Sequence, residues 1–210
     1  MISKGEGEVI KLKKWLYLSV IVVLLAFSGC AKLDTPTSVP YQSSFEDSMN
    51  GWVAKGTDLD NPPVEWSIER SQELASDGEA AIRLYLNNIN DAGKIWVERS
   101  FDVEPNSEYQ VHLEYDFASA DWGDMNLWAI ITGIVPKLPK AKDGLIYQED
   151  TGNNARPEDG FVWLHKSYDF AMKSDQEGKL YIMIGVWGTW ETARTYYLDN
   201  VNVTITSTEG

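Results

Sequence analysis

Glu114 and Asp116 stand two residues apart in the run Tyr109 to Phe117, where Tyr, Val, Leu, Tyr and Phe alternate with Gln, His, Glu and Asp. On a β-strand that spacing puts both carboxylates on one face, about 6.6 Å apart along the chain, a separation open to glycosidic acid–base chemistry. A solvated polar face produces the same alternation with no chemistry attached. His112 and His165 are the only histidines. Neither sits in the sequence setting of a serine or cysteine nucleophile, and ordinary hydrogen bonds on strand faces are the expectation for both. The chain also holds nine tryptophans. Flat rings with polar neighbours suit the C–H faces of sugars. Trp187 and Trp128 are the candidates for such a platform, with His112 and Glu114 as polar partners, while Trp52 and Trp66 are assigned to the core.

These residues need strands to hold them. The stretch 178–206 reads as two strands and a turn. In the first, Leu180, Ile182, Ile184 and Val186 form a core stripe, which turns Trp187 the other way. In the second, Tyr197, Asp199, Val201, Val203 and Ile205 share a side, so Asp199 is drawn into the core. A buried carboxylate demands compensation: a dense set of hydrogen bonds, a basic partner such as Arg194, or a cation. Further strands are expected over residues 41–46, 64–70, 80–86, 94–103, 109–117, 124–132 and 161–170. Residues 47–63 read as a loop in which Asp58 and Asp60 belong to a solvated turn. Residues 134–160, broken by Pro136, Pro139 and Pro157, are long enough for a functional or disordered connection. About nine strands with turn signals between them, and no helix after the N-terminal segment, specify an all-β, two-sheet antiparallel β-sandwich. A site joining Trp187 to His112 and Glu114 requires their two strands to be neighbours.

The N-terminus carries Lys11, Lys13 and Lys14, a 13-residue apolar run from Trp15 to Phe27, and then Ser28-Gly29-Cys30. The run is short for a membrane span of about 20 residues and has the order of a secretory signal. FSGC resembles a bacterial lipobox, with Phe27 where an aliphatic residue is usual. That reading makes residues 1–29 a lipoprotein signal peptide and Cys30 the lipidated residue, and several acyl chains there anchor the protein to a membrane. Residues 30–40 form a flexible tether, 41–206 the folded domain and 207–210 a tail. The domain then sits in the cell envelope, facing the periplasm or the exterior. The chain has 18 basic and 32 acidic residues; without four lysines and two glutamates in 1–29, a formal charge of −16 remains. Such a surface repels phosphate backbones and speaks against nucleic acid as a partner. No dinucleotide fingerprint, P-loop or zinc-ligand spacing is present.

Three motifs, YYLDNVNVTI (196–205), SFEDSMNGW (44–52) and SDGEAAIRL (76–84), resemble the galactose-binding-like jelly-roll domains that include many carbohydrate-binding modules. The resemblance implies a jelly roll that binds a polysaccharide or oligosaccharide without catalysing a reaction. It also implies a structural Ca²⁺ held between an early Glu and a late Asp, here Glu46 and Asp199, with Asp77 contributing through backbone or side chain. Some jelly-roll glycoside hydrolases carry E-x-D-x-x-E on a strand. Glu114-Tyr115-Asp116 resembles its start, but Ser119 stands where the third acid belongs. The alternatives to glycan binding are therefore a small jelly-roll hydrolase or lyase using Glu114 and Asp116, or an adhesive surface lipoprotein with a protein partner.

Overall fold

The computed structural model describes residues 38–122, 127–152 and 155–208. Cys30, the apolar run before it, most of the expected tether and Asp124 to Asn126 of an expected strand lie outside the described residues.

Eleven strands are present among the described residues: β1 (Ser38–Ser43), β2 (Val53–Thr57), β3 (Trp66–Ser71), β4 (Ala81–Asn87), β5 (Lys94–Asp102), β6 (Glu108–Ser119), β7 (Ala129–Val135), β8 (Tyr147–Asp150), β9 (Val162–Lys173), β10 (Lys179–Trp187) and β11 (Ala193–Ser207). They form two antiparallel sheets. One has the order β3-β4-β11-β6-β9, with β1 also paired to β11; the other has the order β2-β5-β10-β7-β8. This is the expected two-sheet sandwich.

The core lies between the sheets, and the period-two pattern explains which residues fill it. Leu180, Ile182, Ile184 and Val186 of β10 meet Val111, Leu113, Tyr115 and Phe117 of β6 in one buried cluster. Each such side chain contributes about 1.5–3 kcal/mol on burial. Two strands escape a reading by periodicity. β2, with the sequence VAKGT, pairs only with β5 at one sheet edge, and all four residues of β8 are exposed at the other. An edge strand has no two-sided burial to write an apolar stripe into its sequence. The first strand also begins at Ser38 rather than residue 41, because Val39 and Pro40 already pair with Ile205 and Thr204.

The stretch 178–206 does contain two strands, but they are not a hairpin. β10 lies between β5 and β7, and β11 lies in the other sheet. β11 also carries a register shift between Asp199 and Asn202, with Asn200 at φ +51°. Such a bulge adds one residue and reverses the phase. Leu198 before it and Val201 after it therefore both reach the core, and Asp199 faces away from the sheet-to-sheet core.

The outer face of the five-stranded sheet is itself partly covered. Trp96, Ile131, Leu145 and Met183 form a second buried cluster, with Val135 and Trp187 packed against it. Leu145 comes from the 134–160 connection, which folds back over its own sheet. Gly133 permits this: a Cβ there would fall 2.4 Å from Ile146.

Candidate functional site

Trp187 ends β10, with Lys94 of β5 and Ala129 of β7 in register on either side. It points outward, as the core stripe requires, and is half-buried. The Tyr147 ring, brought by β8, lies 5.1 Å from it at an interplanar angle of 52°. Lys94 Nζ sits 4.9 Å from the indole centroid. That ammonium is fixed, because it donates to Asp58 Oδ2 at 2.7 Å and to the Ala92 carbonyl at 2.6 Å. Together with Asp91, Lys142 and Asp143 these groups line an open cleft of about 370 Å³. Burial, and then the carboxylates of Asp58 and Asp143, push the Tyr147 hydroxyl pKa up. The Trp187 indole N–H is buried and has no hydrogen-bond partner among the described residues. Two tilted aromatic rings beside a rim of Asp and Lys can stack on an apolar sugar face and meet its hydroxyls.

The other expected members of this site lie elsewhere. Trp128 is fully buried in the main core, with its ring 5.8 Å from Tyr196, and offers no face to a ligand. His112 and Glu114 belong to β6 of the six-stranded sheet. Their outward face is therefore on the opposite side of the sandwich from Trp187. Outward direction was legible in both strands; sheet membership was not.

On that opposite face the side chains of β6 and β9 interlock. His112 reaches Asp169 through Nδ1 at 2.8 Å and Glu114 Oε1 through Nε2 at 3.0 Å. His165 reaches Asp116 Oδ1 through Nδ1 at 3.1 Å, and its Nε2 lies 3.8 Å from the same Glu114 oxygen. Hydrogen bonds to the carboxylates of Asp169 and Glu114 raise the His112 pKa above its ordinary value. Glu114 and Asp116 do share a face, as their spacing dictates, and both are engaged with histidine.

Asp199 is 1% exposed. Its Oδ2 accepts from the backbone N–H of Ser76 at 2.9 Å, the Ser76 hydroxyl at 3.2 Å and the backbone N–H of Asp77 at 3.2 Å; its Oδ1 accepts from the Asn200 N–H at 2.7 Å. Burial raises its pKa, and those hydrogen bonds oppose the rise. Glu46 approaches the same loop from another side, accepting from the N–H groups of Glu79 at 3.1 Å and Ala80 at 3.3 Å. Gly78, at φ +68°, lets the loop close on it, since a Cβ there would fall 2.3 Å from Glu46 Oε1. The Asp77 side chain is exposed.

Arg194 is not the partner of Asp199. It pairs with Asp121, a residue no sequence pattern singles out, at 2.8 Å. Asp121 also accepts from Thr151 Oγ1 at 2.5 Å and the Tyr196 hydroxyl at 2.7 Å. The segment after β6, the segment after β8 and the start of β11 thus meet at one buried carboxylate.

No protein-family profile and no curated protein matches the sequence. Solved structures do. The chain is similar to the family 22 xylan-binding domain CBM22-1 from Paenibacillus barcinonensis, with 16% identity over 79% of this chain and 92% of that one and a TM-score of 0.43. It is similar to a family 61 carbohydrate-binding module in complex with β-1,4-galactotriose, with 14% identity over 76% and 92% of the two chains and a TM-score of 0.42. It is also similar to the K1 cleaved adhesin domain of Lys-gingipain from Porphyromonas gingivalis W83, with 11% identity over 79% and 97% and a TM-score of 0.45.

Proposed function

We propose that this protein is a lipid-anchored glycan-binding module of the cell envelope, that it performs no chemistry on its ligand, and that the cleft at Trp187 and Tyr147 is where the glycan sits. The observation that carries the reading is the outward, half-buried indole paired with a second ring beside fixed charges. A glycan array on residues 31–210 identifies the ligand, and affinity for the best hit is then measured in variants. Trp187→Ala and Tyr147→Ala are each expected to lose roughly 1–3 kcal/mol of binding. Tyr147 is 37% exposed on an edge strand, so its loss leaves the melting temperature nearly unchanged and separates binding from folding. Normal binding by both variants removes the cleft from the site. Reducing-sugar release that Glu114→Gln abolishes replaces the binding reading with the hydrolase one.

The anchor in this proposal is Cys30. Metabolic labelling with a fatty-acid analogue is expected to mark the wild type and not Cys30→Ser; equal labelling of both overturns it.

A structural Ca²⁺ completes the proposal. Two carboxylates, Glu46 and Asp199, accept hydrogen bonds from the loop 76–80, Glu46 so closely that a Cβ at position 78 would fall 2.3 Å from its Oε1, and carboxylate and carbonyl oxygens are the donors Ca²⁺ takes. Those two side chains would hold the ion, which supplies charge balance for buried Asp199. Bound only to the folded state at a hundred times its Kd, it adds about 2.7 kcal/mol of stability. Chelation is therefore expected to lower the melting temperature of the wild type and not of Glu46→Gln. No response to chelator leaves the hydrogen bonds from Ser76, Asp77 and Asn200 as the sole compensation.

A further inference from the structure

The outer face of the six-stranded sheet carries an alternating line of acids and imidazoles, in the order Asp169, His112, Glu114, His165, Asp116. Its chemistry is unusual at His112, where both ring nitrogens lie within hydrogen-bonding distance of carboxylate oxygens, at 2.8 and 3.0 Å. A neutral imidazole donates through one nitrogen only, so the other presents a lone pair. A lone pair facing a carboxylate is repulsive unless a proton or a metal ion lies between them.

The two Nε2 atoms share one neighbour, Glu114 Oε1, at 3.0 and 3.8 Å. Two ligand atoms on one Zn²⁺, with bonds of about 2.0–2.1 Å at a tetrahedral angle, stand about 3.3 Å apart. The observed separations bracket that value. The far nitrogen of each ring is held by its own carboxylate, His112 by Asp169 and His165 by Asp116 at 3.1 Å. This is how metal-ligating imidazoles are oriented and made more basic. The site is open among the described residues: the side chains of His112 and His165 are 40% and 60% exposed, which leaves the rings accessible to an ion.

We propose that His112, His165 and Glu114 bind a transition-metal dication of the Zn²⁺ class on this face, with Asp169 and Asp116 positioning the two imidazoles. In the arrangement described no three ligating side chains among the described residues yet surround one point. Glu114 and His112 already stand at ligand spacing, and the exposed His165 ring, 3.8 Å from the same Glu114 oxygen, closes the remaining gap of about 0.5 Å while keeping its contact with Asp116. Two imidazoles and one carboxylate leave coordination positions open to water or to a partner's ligand.

The test is calorimetric titration of the metal-free protein with ZnCl₂, with Ca²⁺ present throughout to keep the neighbouring loop in one state. Asp116 contacts Ser76 of that loop at 2.8 Å, which makes the control necessary. The expected result is one Zn²⁺ per chain and a higher melting temperature, both lost in His112→Gln and in His165→Gln, with no response to MgCl₂. Asp169, 82% exposed at its side chain, is replaceable without loss of folding, and Asp169→Asn is expected to weaken Zn²⁺ binding about 10–100-fold. No zinc binding by the wild type, or equal binding by both histidine variants, overturns the proposal.

Discussion

Asp121→Ala is expected to destabilise the fold by about 3–5 kcal/mol, the usual range for breaking a buried ion pair from one side. The side chain is 1% exposed and that of its partner Arg194 is 21% exposed. Removing the carboxylate takes from Arg194 its ion pair with Asp121 and from the hydroxyls of Thr151 and Tyr196 their shared acceptor. Thr151 matters further, because its Oγ1 also accepts from the Trp128 backbone N–H at 3.0 Å. Burial and the adjacent negative charge of Asp121 hold the Tyr196 hydroxyl well above its ordinary pKa, so Tyr196 remains a donor at any working pH. Chemical denaturation reads the loss. A double-mutant cycle with Arg194→Met is expected to show coupling, the double variant losing less than the two single losses added. A loss below about 1 kcal/mol in Asp121→Ala contradicts a structural role for this network.

Trp128→Ala is expected to cost about 3–5 kcal/mol, the range for deleting a large buried aromatic. The ring is among the largest fully buried side chains and packs 5.8 Å from Tyr196, which in turn stacks on Phe117 at 5.3 Å. Its removal opens a cavity that strands from two sheets cannot collapse to fill, since both are fixed by their ladders. The Trp128 indole N–H has no hydrogen-bond partner among the described residues, so Trp128→Phe sacrifices packing there and is expected to lose much less than the alanine variant. Glycan affinity of the folded fraction is expected to be unchanged in either case. Trp187→Ala should show the reverse pattern, with a large effect on binding and a smaller one on the melt. Similar unfolding costs for Trp128→Ala and Trp187→Ala would contradict the different burial of the two rings.

The alternation of side chains by itself determined the strand identities of β4, β6 and β10 and the face each turns to the core. Leu180 to Val186 point inward and Trp187 outward, and Tyr109 to Phe117 bury their apolar set while showing His112, Glu114 and Asp116 to solvent, because period two is a property of one strand and needs no partner. The expected function rests on that outward Trp187. What the tertiary structure decided is everything that depends on a second strand. Sheet membership put Trp187 and His112 on opposite sides of the sandwich and separated β10 from β11, since pairing is set by contacts between residues far apart in the chain. The bulge at Asn200 reversed the phase of β11 and took Asp199 out of the core stripe; a single inserted residue leaves no mark in composition. Arg194 could have satisfied any nearby acid, and only folding chose Asp121. The same holds for Tyr147. It lies 40 residues from Trp187 in a stretch with no apolar rhythm, and it reaches the cleft because the chain after β7 turns back over its own sheet to form the edge strand β8.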